Sequence, residues 1–273
     1  MVEPAEAVFA VVLVLVVLWA LHRLSVIGNA TLTLWKTPVD TEVKFEDEQQ
    51  IAIEGEVVVD EPAHVAERLF DPAERPVGAY VWHAWTPDTG RNVYDFDDGE
   101  LQGGQSTFAS GVETGQAAIT THGHQFNITF DWLHDTYDPD TLSGLTVGNP
   151  MSYARVPTVM TRYLSDSIYI SLESAVGECR INRLRDIINV HDGDVSTEEF
   201  NIEARGIAAG QQLIVTGELQ KRDGVYSVRG TDQTPLLVSD TGREGLIKQL
   251  RWRAVKYVLA LLGATGLLMM FVL

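Results

Sequence analysis

The sequence predicts a mainly β soluble domain, an OB-like barrel or sandwich with some helix, flanked by two transmembrane α-helices. Three observations carry that reading. Each end of the chain is apolar over about the length of a membrane span. The middle is a succession of short β-branched or alternating runs separated by turn residues. The segment GQQLIVTGELQKRDGVYSVRG reads as two strands around a tight turn at Arg222, Asp223 and Gly224.

The first apolar run starts at Ala7 and continues through VFAVVLVLVVLWAL to Leu21. With Glu6, His22 and Arg23 reaching outward to headgroups it covers about 20 residues, or ~30 Å of helix. Glu3 and Glu6 stand where a secretory signal would carry basic residues, and no small-x-small cleavage site follows. An uncleaved anchor over 1–27 is therefore expected. At the other end Tyr257 to Leu273 is apolar throughout after Lys256, which predicts a second anchor over 251–273 rather than a buried core helix. Gly263 and Gly266 lie three residues apart, one short of the spacing of the close-packing helix dimer motif.

Basic residues flank the inner edges of both spans: His22 and Arg23 after the first, and Arg243, Lys248, Arg251, Arg253 and Lys256 before the second. The bias toward the cytoplasmic side predicts a two-pass cell-membrane protein whose domain, 28–250, is cytoplasmic. Trp19 and Trp252 fall near the span ends, where interfacial aromatics are expected.

The formal charge is −18, from 38 acidic residues against 20 basic ones, only five of them lysine. Such a surface repels nucleic acid. Carboxylates spread from Glu42 to Glu244 with scarce lysine read as adaptation to a salt-rich cytoplasm, as in a halophilic archaeon, rather than as a patch for one basic partner. Cys179 is the one cysteine, so the chain holds no internal disulfide and no cysteine-built zinc or iron–sulfur site.

Strands are expected at Glu42 to Phe45, Ile51 to Val59, Ala79 to Trp85, Gln125 to Trp132, Ser167 to Leu172, Glu199 to Glu203, Gln212 to Leu219, Val225 to Arg229 and Pro235 to Val238. Short helices are expected at Ala63 to Phe70 and from Gly245 into the second span. The 212–229 hairpin fits a small barrel of the OB kind, yet it offers few aromatics in an acidic setting, so single-stranded nucleic acid is not the expected ligand.

The order of features then becomes informative: first span, IEGEVVV (Ile53 to Val59), the Pro76-Val77-Gly78-Ala79-Tyr80-Val81 segment, IEARGIAAGQQLIVTGELQKRDGVYSVRG, and PLLVSDTGREGLIKQLRWR running into the second span. This resembles the GIDE domain, also called BAM for "beside a membrane", found in mitochondrial membrane-anchored RING ubiquitin ligases of the mulan type and in many prokaryotic membrane proteins. Glu203, Ile207, Gly210, Leu213, Val215, Gly217, Pro235, Ser239 and the Arg251 to Lys256 cluster occupy the family's pattern positions, most sharply over 201–253. Two departures matter. Ala79 stands where the family often has Cys, and one cysteine cannot supply the eight ligands of a RING, which excludes ligase activity by that route within this chain. The resemblance implies a membrane-tethered interaction or scaffold domain, or a component of a ubiquitin-ligase-like modification system acting with a separate RING.

Of the chemical-looking residues, Thr121-His122-Gly123-His124 with Asp131, His134 and Asp135 comes closest to a metal set, and would serve a membrane-bound metal-dependent hydrolase. The competing reading, a hairpin turn at Gly123 with solvent-facing histidines, is preferred. His83 between Trp82 and Trp85 reads as a half-buried histidine. Asp95, Asp97, Asp98 and Glu100 lack the ligand spacing of a calcium loop. Ser106, Ser110 and Ser165 lack a nucleophile-elbow context, GVETGQAAIT is no phosphate loop, and Cys179 reads as a small buried hydrophobe. No catalytic, metal or cofactor-binding residue is assigned. The expected partners are the lipid bilayer and a protein.

Overall fold

A computed structural model describes residues 4–36, 45–70, 75–94, 101–138, 140–149, 170–172, 175–191 and 199–272. In chain order these hold α1 (Pro4–Lys36), β1 (Gln50–Glu61), α2 (Ala66–Leu69), β2 (Val77–Tyr94), β3 (Leu101–Thr114), β4 (Gln116–Thr121), β5 (His124–Thr129) and α3 (Asp131–Tyr137). There follow β6 (Thr146–Val147), β7 (Ile170–Ser171), β8 (Ala175–Arg180), β9 (Asn189–Val190), β10 (Asn201–Ala208), β11 (Gln212–Arg222), β12 (Val225–Arg229), β13 (Leu237–Ser239) and α4 (Gly242–Val272).

Five strands close a barrel in the spatial order β1, β4, β5, β12, β11 and back to β1. The closing ladder is antiparallel, from Gln50 opposite Glu218 to Glu56 opposite Gln212. The third and fifth barrel strands of the sequence, β5 and β12, run parallel, Tyr226 opposite Phe126. This is the connectivity of an OB barrel. Alternation explains why the strands sit as they do: Ile51, Ile53 and Val57 on β1 and Leu213, Val215 and Leu219 on β11 point into one core with Phe126, Ile128 and Val228. The β11–β12 turn has Asp223 at φ 50° and Gly224 at φ 83°, the left-handed pair that a two-residue hairpin needs.

Two insertions into the barrel build a second lobe. The β2–β3 hairpin leaves between β1 and β4, and joins β10 and β8 in a four-stranded antiparallel sheet ordered β3, β2, β10, β8. Tyr80, Trp82 and Ala84 on β2, Ile202 and Ala204 on β10, and Cys179 on β8 share its inner face. They pack against Phe108, Leu142, Ile181, Leu184 and Phe200. Since β10 passes directly into β11 through Ala209 and Gly210, the two lobes share one continuous piece of backbone.

The terminal helices are long: 33 residues in α1 and 31 in α4, or ~50 and ~46 Å at 1.5 Å per residue. Both are apolar enough over their length to cross a membrane. Both also extend past the predicted anchors, α1 to Lys36 and α4 back to Gly242. These extra turns dock on the barrel. Ile27, Ala30 and Leu34 recur at helical spacing and are buried with Ala52, Ile214, Leu237, Leu246 and Leu250.

Other expectations shift. Trp132 lies in α3, not in a strand, because Asp131 starts a helix there and the indole packs over Gly230 while its N–H donates to Asp232 Oδ1 at 3.2 Å. The Ala63 to Phe70 helix shrinks to one turn, Ala66–Leu69. β10 starts at Asn201 rather than Glu199, β13 at Leu237 rather than Pro235, and Phe45 is not in a strand. Residues 42–44 and 167–169 of two expected strands lie outside the described residues.

Candidate functional site

His122, Gly123 and His124 form the tip of the β4–β5 hairpin, with His122 at φ 46° and Gly123 at φ 81°. Both histidines are exposed. The His124 ring does not turn toward a carboxylate but packs edge-on against Phe45 at 5.6 Å between centroids and Tyr226 at 6.3 Å. Asp131 is exposed at the start of α3. Among the described residues no three metal-ligating side chains converge, here or elsewhere. Cys179 is buried in the second lobe, and Ser110 is buried on β3. Asp95, Asp97, Asp98, Glu100 and Ser165 lie outside the described residues.

The structure brings together polar groups that the sequence did not flag. Glu113, opposite Tyr80 on the inner side of the β2–β3 ladder, is 9% exposed. Its carboxylate accepts the Leu142 N–H at 2.6 Å, holding the short turn Leu142–Gly144 against the lobe. Burial pushes its pKa above the ordinary value; the Leu142 hydrogen bond, His64, the nearby Trp82 indole and His134 pull the other way without cancelling it. Beside it the Tyr80 hydroxyl donates to the His64 carbonyl at 2.6 Å, and burial raises that phenol too. This arrangement braces the lobe rather than opening to a substrate, and a glutamate in a Gly- and Ser-rich strand gives no sequence signal of it.

On the opposite side of the same sheet His83 Nε2 meets Glu203 Oε2 at 3.3 Å, and Arg205 stands 3.5 Å from the other carboxylate oxygen. The His83 hydrogen bond holds the Glu203 carboxyl below its usual range. Arg205 also donates to the Leu172 carbonyl at 2.8 Å, tying the sheet to the strand segment beside β13. His83 is half-buried, as its flanking tryptophans suggest.

The most extensively built junction is where the terminal helices meet each other and the barrel. Trp19 of α1 lies edge-to-face on Tyr257 of α4, ring centroids 5.1 Å apart. Arg23, 2% exposed, places its guanidinium 6.0 Å from the Trp19 ring centre, and Lys256 sits 5.8 Å over Trp252. One turn nearer the barrel the Ile27, Ala30 and Leu34 face of α1 is covered. At its end the Arg243 guanidinium donates to the Leu34 carbonyl, satisfying a helix-terminal acceptor with a cation from the other helix. The result is a two-helix stem seated on the outer face of β1, β11 and β13. The cation–π contacts and the ring pair at this joint have no local sequence signal, although Trp19, Arg23 and the basic residues between 243 and 256 mark a boundary in the sequence.

Two comparisons bear on kinship. No family model matches the chain. No curated protein matches it either.

Proposed function

We propose that this chain is a membrane-anchored interaction module, in which two spanning helices carry a rigid stem and the OB barrel with its second lobe serves as a cytoplasmic platform for a protein partner. The observation that carries the reading is the stem itself. Trp19, Arg23, Tyr257 and Lys256 lie near one level of the helix pair, and the apolar stretches that include it, residues 7–21 and 257–272, rise ~22 and ~24 Å, close to a bilayer core once the flanking cations snorkel. On the other side of it the same helices pack on the barrel without an intervening linker for α4, so the platform is held at a fixed attitude. The basic residues on the barrel side of that level support a cytoplasmic placement. The resemblance to GIDE domains supports a tethered scaffold.

The test uses the intact chain in native membranes. A cysteine at Asp223 in a Cys179→Ser background reports sidedness: labelling by a membrane-impermeant maleimide only after lysis is expected, and labelling of intact cells would overturn the placement. Proximity crosslinking from the barrel surface is expected to return a reproducible protein partner that is lost when the barrel is deleted but the stem retained. A crosslink pattern identical with and without the barrel would remove the scaffold reading.

A further inference from the structure

Between the barrel-side end of α1 and the outer face of the barrel lies a cavity of about 180 Å³. It is smaller than the ~300–1,000 Å³ clefts that hold drug-sized ligands. Its wall is polar: Asn29, Thr33 and Lys36 from α1, Gln50 and Thr216 from the barrel, and Gln233 from the segment before β13. In a chain with 38 acidic residues, none of the described residues lining this cavity is acidic, and Lys36 brings a cation to it. Part of the lining is already fixed. Gln50 Nε2 donates to Thr234 Oγ1 at 2.7 Å, and the Thr33 hydroxyl bonds the Asn29 carbonyl at 2.9 Å. Thr216, 1% exposed, lies on the floor opposite Ala52 and Leu237. Its hydroxyl lies on a strand face otherwise covered by Ile214, Leu34 and Ala30.

We infer that this cavity binds a small phosphorylated polyol. Neutral amide and hydroxyl groups in the wall suit the hydroxyls of such a molecule, Thr216 offers a floor contact, and Lys36 supplies the charge for the phosphate at the rim. No carboxylate stands among the described lining residues to repel an anion there. The carbonyl end of α1 would disfavour an anion, but Arg243 already occupies the Leu34 carbonyl, and Lys36 stands in the same last turn. Because the cavity is walled by α1 on one side and the barrel on the other, an occupant joins the stem to the barrel. The inference does not depend on the identity of any protein partner.

The same chemistry comes free, as glycerol 3-phosphate, or as the headgroup of phosphatidylglycerol. Titration calorimetry on the full-length protein in neutral detergent with sn-glycerol 3-phosphate, and in nanodiscs with and without phosphatidylglycerol, separates the two. Saturable one-to-one binding of the free compound is expected, weakened about tenfold or more by Lys36→Gln through loss of one charge-assisted hydrogen bond. Thr216→Val, isosteric and strand-compatible, is expected to weaken it too while leaving the melting temperature of the empty protein unchanged or higher. Competition of the free compound by phosphatidylglycerol nanodiscs alone would assign the lipid source. Absence of binding in both formats, or binding unchanged by both variants, would overturn the inference.

Discussion

The Trp19 and Tyr257 rings, on helices at opposite ends of the chain, meet at 79° with 5.1 Å between their centres. An edge-to-face pair of this kind contributes about 0.5–1.5 kcal/mol beyond its buried area. A double-mutant cycle with Trp19→Leu and Tyr257→Leu, read by thermal unfolding in detergent, is expected to return a coupling energy of about that size. Additive single effects would mean that the helices do not hold this register in the protein.

Gly111, on β3, and Gly123, in the β4–β5 turn, are kept by different physics. A Cβ on Gly111 would lie 2.0 Å from the Asp140 carbonyl oxygen and 2.5 Å from the Trp82 ring, whereas at Gly123 nothing lies within 4 Å and φ is +81°. Gly111→Ala should therefore destabilise by about 3 kcal/mol through overpacking. Gly123→Ala should cost about 1 kcal/mol through the left-handed backbone alone. Chemical denaturation of both variants checks the ranking, and equal costs would contradict it.

Glu113 has a folded-state pKa raised by burial. The native state therefore binds its proton more readily than the unfolded chain, and this group's contribution favours folding at low pH and is lost as pH rises through the interval from the unfolded to the folded value. In Glu113→Gln the amide oxygen still accepts the Leu142 N–H and no charge is buried. Its stability relative to the parent is expected to increase as pH rises above the ordinary carboxylate value of 4.5 and to level off once the pH has passed the raised folded value. A constant difference across that range would show that the carboxyl does not titrate abnormally.

Glu203 has the opposite sign. Its pKa is lowered chiefly by the His83 hydrogen bond, so its contribution is present above the unfolded value of 4.5 and fades as pH falls through the lower folded value. His83→Phe should therefore destabilise the protein at pH 6 and much less in strong acid, where Glu203 is protonated in both proteins. Denaturant midpoints at the two pH values measure the difference, which should shrink as acid is added.

Legibility followed the range of the interaction. The β11–β12 hairpin could be read because Arg222-Asp223-Gly224 decides it locally, and β1 because Ile51 to Val59 alternates or branches throughout. β3 could not: Gly103, Gly104, Ser106, Ser110 and Gly111 deprive it of the usual strand composition, and it is a strand because β2 lies beside it for its whole length. The anchor expected over 1–27 stops short of Lys36 because the apolar run ends at Leu21, and the turns beyond it carry Asn29, Thr31 and Thr33. Thr31 and Thr33 instead return their hydroxyls to the helix carbonyls of Ile27 and Asn29, and the Ile27, Ala30, Leu34 face decides the packing. The His122 and His124 turn was read as it is found, since positive φ at Gly123 is a local matter. Glu113 was invisible because its significance depends on Leu142, 29 residues away.

The closing ladder of the barrel also sets an order of events during synthesis. Gln50 finds its partner in Glu218, 168 residues later. At ~5–20 residues per second the ribosome needs on the order of ten to thirty seconds to deliver that partner. Over this interval β1 has its α1 neighbour already made and β4 to follow, but one long edge waits unpaired, the kind of surface that templates aggregation or chaperone capture. Barrel closure is thus a late event in the life of the nascent chain, just before α4 leaves the ribosome, and the acidic residues Glu54 and Glu56 on that stretch keep the waiting edge soluble.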